Sequence, residues 1–118
     1  MAKHYINGPM AVAMLGDPAV VVSYATGLTS KNLFAGQTYS QVACLAPHLD
    51  GERVLVNVPG VVQGITAEMV QEATQRLAFV RVKFTGLVLE IKGGDFNRVT
   101  YVGTADRAVL VQPGTAQR

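Results

Sequence analysis

Tryptophan is absent from this chain of 118 residues, cysteine occurs once and histidine twice. Because Cys44 is the single cysteine, the chain cannot form an internal disulfide or a metal site built from several cysteines. Two histidines are also too few for most histidine-based metal sites. We therefore expect no bound metal and no cofactor, and a lone cysteine fits a reducing, cytoplasmic compartment.

Charged side chains are scarce, at 15% of the residues against about 25% in typical soluble domains. The net charge of +2 is too small to indicate a nucleic-acid binder by itself, so such a function would have to rest on where the charges lie. The hydrophobic fraction is 49%, which leaves too little polar cover for every face of a monomer. We expect a homo-oligomer whose interface includes residues 10–15 and the edge of the fourth predicted strand.

Long hydrophobic runs are missing as well. The apolar N-terminal stretch is broken by Asn7-Gly8-Pro9 and again by Gly16-Asp17-Pro18, and no run approaches the ~20 apolar residues of a membrane span. We expect a soluble protein with no membrane partner and one domain over residues 1–112. Residues 113–118 are polar, so we expect them to form a flexible tail.

The chain is instead rich in valine, which favours β-strands because a branched side chain packs well on a pleated sheet. Between the predicted strands, residues 26–38 are expected to form a long loop of functional importance. Gly86 interrupts one long strand, which indicates a bulge or a corner. The predicted strands are 19–25, 39–46, 52–58 and 79–91, then 99–102 joined to 107–111 by a bend near Gly103, with 10–15 as a further segment that pairs with the first.

One segment has helical periodicity. Thr66 is suited to cap a helix over residues 66–77, and Ile65 before it can pack against the first turns. Apolar residues then recur at helical spacing on one face. We expect this face to plug one end of a β-barrel, and it consists of Met69, Val70, Ala73 and Leu77.

The order of three strands, a helix and two further strands resembles the OB-fold. The similarity runs from Ala19 to Val111 and is greatest to the small single-stranded DNA-binding proteins of bacteria, plasmids and phages. The best local likeness is VRVKFTGLVLEIKGGDFNRVTYVGTADRAVLV, residues 80–111, in which a strand of alternating valine and basic residues enters a charged hairpin loop. The resemblance implies a mostly β, five-stranded, OB-fold-like Greek-key barrel with one helix between strands 3 and 4.

Two departures from that family concern the C-terminus and the aromatic residues. The chain ends in Ala116-Gln117-Arg118, where the cellular members carry an acidic tip that recruits partners. It also lacks the tryptophan on which those members stack bases. Both departures favour a plasmid, phage or mobile-element protein.

The resemblance further implies where nucleic acid would bind: the face of strands two and three, and the loops joining strands one to two and four to five. Single-strand binding requires cations that follow the phosphates and aromatic faces on which bases stack. Phe96, in the hairpin loop 92–98, could instead cap a barrel end or enter a subunit interface, and Arg81 and Lys83 fit a solvated strand face equally well. The predicted site residues are Lys31, Phe34, Tyr39, Arg53, Arg81, Lys83, Lys92, Phe96, Arg98 and Tyr101.

The predicted function is non-enzymatic binding of single-stranded nucleic acid, DNA in preference to RNA, with little sequence specificity. Enzymatic interpretations are weak, because Cys44 has no basic partner close in sequence and the spacing of Cys44, His48 and Asp50 matches no established metal site. The alternative is a structural, self-assembling β-barrel protein of a phage or secretion system with no nucleic-acid role. That alternative explains the low net charge better.

Overall fold

Strands dominate the computed structural model, which describes residues 4–7, 9–31, 34–46, 52–93 and 99–111. Within these residues, eight strands form one sheet curled into a half-barrel, accompanied by two α-helices and a short 3-10 helix, Phe34–Gly36. The strands are β1 (His4–Asn7), β2 (Ala19–Leu28), β3 (Tyr39–Ala46), β4 (Glu52–Pro59), β5 (Val80–Thr85), β6 (Val88–Gly93), β7 (Val99–Thr104) and β8 (Arg107–Val111), and the helices are α1 (Pro9–Leu15) and α2 (Ala67–Gln75).

The sheet has the order β1-β6-β7-β4-β3-β2-β5-β8. Its neighbouring strands are antiparallel except β4 and β7, which are parallel. Valine alternation decides which side of the sheet faces the core, because successive side chains of a strand point to opposite faces. On β4, the side chains of Val54, Val56 and Val58 are buried on the inner face, where Leu15 of α1 and Val70 of α2 join the same core.

The strand count differs from the expected five because two long strands are each divided and a short one, β1, is added. The division between β5 and β6 falls at Gly86, as predicted, and Gly86 has a φ of +68°. The division between β7 and β8 falls at residues 105–106, just beyond Gly103, near which a bend was expected. Gly103 itself lies buried in β7, where a Cβ atom would approach side-chain atoms of Leu89 and Val56 to 3.0 Å. Because glycine has no side chain, β7 can pack closely against Leu89 of β6 and Val56 of β4.

Residues 105–106 connect two strands that are distant in the sheet. The Ala105 N–H donates to the Asn57 carbonyl at 3.0 Å, and the Asp106 N–H donates to the Thr85 carbonyl at 2.8 Å. Asn57 lies on β4 and Thr85 on β5, and β3 and β2 separate these strands in the sheet order. The link therefore holds the two sides of the curl together.

The N-terminal segment is helical, so the prediction of a strand over residues 10–15 is wrong. Pro9 occupies the first helical position, where its missing N–H costs nothing. Ala11 and Leu15 lie one turn apart and are both buried in the core. Gly16 ends the helix with a φ of +99°, and its N–H donates to the Val12 carbonyl at 2.8 Å. The apolar run at residues 10–15 is so short that its pattern fits a helix and a strand equally well.

Strand β2 is longer than predicted and shortens the expected loop over residues 26–38. It continues to Leu28 and pairs with β3 along most of its length. Its register shifts between Val21 and Ser23 and again between Ala25 and Leu28. Such bulges bend a strand and increase its twist. At its start β2 pairs with β5 on one side and β3 on the other, and beyond Val21 it pairs with β3 alone.

Helix α2 begins as predicted, but its C-terminal end differs. The Thr66 hydroxyl oxygen accepts the Met69 N–H at 3.0 Å, which confirms the N-cap. Val70 is buried, and Met69 packs partly buried against the core. Leu77, however, lies beyond the last helical residue and is exposed, with a φ of +59°. The expected burial of Leu77 is therefore wrong, because the helix ends before that position completes the apolar face.

Buried hydroxyl groups join β2, β3 and the connection from β4 to α2. The Ser40 hydroxyl donates to the Gly60 carbonyl at 2.6 Å, so its oxygen accepts from Tyr24 at 3.3 Å and from Thr26 at 2.9 Å. The Tyr24 oxygen in turn accepts the Val62 N–H at 3.1 Å. The network satisfies a backbone donor that burial would otherwise leave unpaired.

The Tyr24→Phe variant should therefore lose about 1–3 kcal/mol of unfolding free energy, because the buried Val62 N–H and the Ser40 hydroxyl each lose a partner. Urea unfolding followed by circular dichroism measures this loss. The matched control is Tyr5→Phe, because Tyr5 is exposed, and we expect a change within about 0.5 kcal/mol. Equal stabilities for the two variants would contradict the network.

Substitution of Gly86 tests the division between β5 and β6. A Cβ atom there would collide with the Asp106 carboxylate, and the positive φ is itself unfavourable for alanine by about 1 kcal/mol. Gly86→Ala should therefore destabilise the fold by more than Gly27→Ala, because Gly27 has a similar φ of +76° but open space around it. Adding Asp106→Ala should recover part of the Gly86→Ala loss. Thermal melts of the variants would contradict the clash if Gly86→Ala and Gly27→Ala were equivalent.

Candidate nucleic-acid interface

The outer face of the curled sheet is set by the same alternation that buries the valines. On β3, Val42 and Cys44 point to the core, whereas Gln41 and Leu45 point outward and are half-buried. Residues paired directly across neighbouring strands lie on the same face. The register therefore identifies which residues of distant strands share the outer surface.

One register row brings two predicted site residues to the same face. The row begins at Arg53 of β4, which pairs with Leu45 of β3, and Leu45 pairs with Val20 of β2. Val20 in turn pairs with Arg81 of β5, and the row ends at Val111 of β8, which pairs with Arg81. Arg53 and Arg81 are both exposed. Three strand spacings separate them, which corresponds to about 14 Å along the sheet.

Three cations cluster on the outer face of β5 and β8. Arg81 and Lys83 alternate with buried valines along β5, and both are exposed. Arg107 on β8 is also exposed, and it lies diagonally opposite Lys83 because it pairs with Thr85. Among the described residues, no carboxylate lies within ion-pair distance of Arg53 or of these three cations. We call Arg53, Arg81, Lys83 and Arg107 the cationic face.

Sequence reasoning missed Arg107, although the alternation in residues 107–111 carried the signal. Arg107 and Val109 are exposed, and Ala108 between them is buried. Tyr5 is a second missed candidate: it is 55% exposed on β1, a strand of four residues and too short for its pattern to be read. Tyr5 pairs with Glu90 on the outer face of the sheet.

Two predicted aromatic residues lie together at the start of β3. The Phe34 and Tyr39 rings have centroids 5.8 Å apart and an interplanar angle of 52°. Tyr39 is only 9% exposed and Phe34 is half-buried, so the pair presents a limited aromatic surface. Lys31, at the other end of this connection, is exposed. Phe34 and Ala35 both have positive φ, at 51° and 53°.

The remaining predicted site residues are on or beyond the hairpin of β6 and β7. Tyr101 pairs with Ile91 and packs partly buried against the core, which separates it from the cationic face. Lys92 pairs with Thr100 in the same ladder. Phe96 and Arg98 lie outside the described residues.

Cys44 is buried on the inner face, as a small hydrophobic residue would be. Burial disfavours the thiolate and raises the pKa of Cys44 from 9.0 to about 12. Among the residues that the structure describes, no group of three His, Cys, Asp or Glu side chains is arranged to hold a metal ion. His48 and Asp50, considered with Cys44 above, lie outside them.

Neither described helix has the length and apolar character that crossing a bilayer requires. No protein-family model, no curated protein and no solved structure matches the chain.

The buried thiol gives a direct test of the core. We expect native Cys44 to resist iodoacetamide at mildly alkaline pH and to react after unfolding, because only the thiolate is nucleophilic. Since the folded pKa is raised from 9.0 to about 12, the neutral thiol stabilises the fold fully below pH 9.0 and loses this contribution as the pH rises towards 12. The Cys44→Ala variant lacks this titration and serves as the reference in urea unfolding. Rapid alkylation of the native protein would contradict the burial.

Proposed function

We propose that this protein binds single-stranded nucleic acid, DNA in the first instance, along the outer face of its sheet and with little sequence specificity. The observation that carries the proposal is the cationic face: four exposed cations on one surface, with no described carboxylate within ion-pair distance. A protein with 15% charged residues thus places four exposed cations on one face. Phosphates bind to such a surface by releasing counterions.

The strand pairing supports an OB-type, five-stranded Greek-key barrel as the scaffold. The five predicted strands correspond to β2, β3, β4, the divided strand β5/β6 and the divided strand β7/β8. Strand β2 pairs with β3 and with β5/β6, and β4 pairs with β3 and, in parallel, with β7/β8. The divided strands β5/β6 and β7/β8 pair with each other. These pairings form a ring, α2 lies between the third and fourth members, and β1 is an addition at the edge.

The curvature of the sheet favours a flexible ligand. Because the core fills the inner face, the outer face is convex, and Arg53 and Arg81 lie on different parts of the curve. Duplex DNA is stiff over about 150 base pairs, so it would touch such a surface at few phosphates. A single strand can follow the curve and reach all four cations.

Base stacking would complement the phosphate contacts, at about 1–3 kcal/mol for each base stacked on an aromatic side chain. Tyr5 offers the most exposed aromatic ring of the described residues. Phe34 offers part of its ring beside Tyr39. Phe96 of the hairpin loop remains a predicted stacking residue.

Salt dependence distinguishes phosphate contacts from stacking. In fluorescence anisotropy titrations with labelled oligo(dT), Arg81→Ala, Lys83→Ala and Arg107→Ala should each lower the slope of log affinity against log salt by about 0.7. Lys83→Arg is the matched control, because it keeps the charge and should keep the slope. Phe96→Ala should weaken binding by about 1–3 kcal/mol without changing the slope. Oligo(U) and a duplex, titrated in parallel, measure the preference for DNA over RNA and for single strands.

Failure to bind any single strand at low salt would overturn the proposal. Unchanged slopes in all three alanine variants would show that the cationic face does not contact the phosphates.

The second candidate, a self-assembling β-barrel component of a phage or secretion system, is favoured by the exposed apolar residues Val61, Leu77 and Val109. Concentration-dependent assembly without any oligonucleotide binding would support that candidate in its place.

A further inference from the structure

Leu77 is unfavourable for the isolated chain in two ways. It is 76% exposed, and its φ of +59° lies in the left-handed region, where a Cβ atom crowds the backbone. The position is the first residue after the helix cap Arg76: the Leu77 N–H donates to Thr74 O at 3.1 Å and the Ala78 N–H to Ala73 O at 2.9 Å. Glycine is the usual residue at this position. The fold alone therefore does not account for a leucine there.

An apolar groove lies directly beside Leu77. It has a volume of about 210 Å³ and is lined by Met69 and Ala73 of α2, by Phe79 and by Leu110 of β8, with Glu72 and Arg76 also contributing. An enclosed apolar cavity of about 150 Å³ accommodates a benzene-sized group. The groove is thus large enough for the side chain of a leucine.

The apolar surface continues past Leu110. Leu110 also lines a second groove of about 380 Å³, together with the apolar residues Pro59, Val61 and Val109 and the polar residues Gln63, Asp106 and Arg107. Val61 and Val109 are each more than half exposed. Exposed apolar side chains grouped beside a polar rim are typical of interaction sites.

We propose that two copies of this chain associate through this surface, with Leu77 of each copy inserted into the groove beside Leu77 of the other. The surface carries both a projecting leucine and an apolar groove next to it, which is what a two-fold interface requires, because the same patch must complement itself. The charges of the surface can complement themselves as well, because Glu72 and Arg76 both line the groove. The Glu72 carboxylate oxygen Oε2 lies 4.0 Å from the Arg76 guanidinium nitrogen Nη2. A two-fold axis can bring Glu72 of one copy to Arg76 of the other.

The proposed interface does not include residues 10–15, but it includes Phe79 and Val80 of the fourth predicted strand, whose edge was also expected at the interface. It lies at α2, the segment after it and β8, and of the cationic face it includes Arg107, which lines the second groove, but not Arg53, Arg81 or Lys83. Self-association at Leu77 does not require that the protein binds nucleic acid. The inference assigns the apolar surface to a second copy of the chain.

Sedimentation equilibrium of the full chain over a range of micromolar concentrations tests the proposal. We expect the parent to dimerise and Leu77→Gly to raise the dissociation constant by about 10-fold or more, as loss of a central apolar anchor does. Circular dichroism should show that Leu77→Gly is folded, because glycine relieves the left-handed strain. Met10→Ser is the control, since Met10 is exposed on α1, and we expect it to leave dimerisation unchanged.

Charge exchange provides a second, independent arm. Glu72→Arg and Arg76→Glu should each weaken association by placing like charges together, and the double variant should restore it in part. The proposal is overturned if the parent remains monomeric throughout the concentration range. It is also overturned if Leu77→Gly dimerises as tightly as the parent, or if Met10→Ser abolishes association while Leu77→Gly does not.

Discussion

The backbone at residues 105–106 is the constraint on which the rest of this structure depends. Two hydrogen bonds, from Ala105 to Asn57 and from Asp106 to Thr85, hold β4 and β5 to the same short segment although β3 and β2 separate them. A sheet that meets this condition has to curl. The break at Gly86 follows, because the Asp106 carboxylate occupies the space that a side chain there would need.

The curl also determines what the outer surface can do. With the inner face filled by valines, a one-residue slip in any strand would expose the core, so the pairing register is strongly specified. That register aligns Arg53 with Arg81 across three strand spacings, and it sets Arg107 diagonally from Lys83. Four cations that are scattered in the sequence thereby come to lie on one convex face, with no carboxylate of the described residues within ion-pair distance. The proposed binding of a flexible polyanion follows from this arrangement.

The proposed dimer surface and the cationic face meet at Arg107, which lines the second groove, whereas Arg53, Arg81 and Lys83 lie outside both grooves. A two-fold pair formed at Leu77 would carry two cationic faces on one particle. Linked binding surfaces bind a long ligand more tightly than either surface alone, because the second contact becomes intramolecular. Self-association through Leu77 would leave Arg53, Arg81 and Lys83 outside the contact between the two copies.

The sequence by itself determined the elements whose pattern is local: valine alternation predicted β4, Thr66 predicted the start of α2, and Gly86 predicted a bulge or corner. The tertiary structure decided the rest. The apolar run at residues 10–15 is too short for its period to separate helix from strand, and only packing against the core made it α1. Leu77 continues the apolar spacing of α2, but the helix ends first. The alignment of Arg53 with Arg81 depends on pairing between strands far apart in the chain, which local periodicity does not encode.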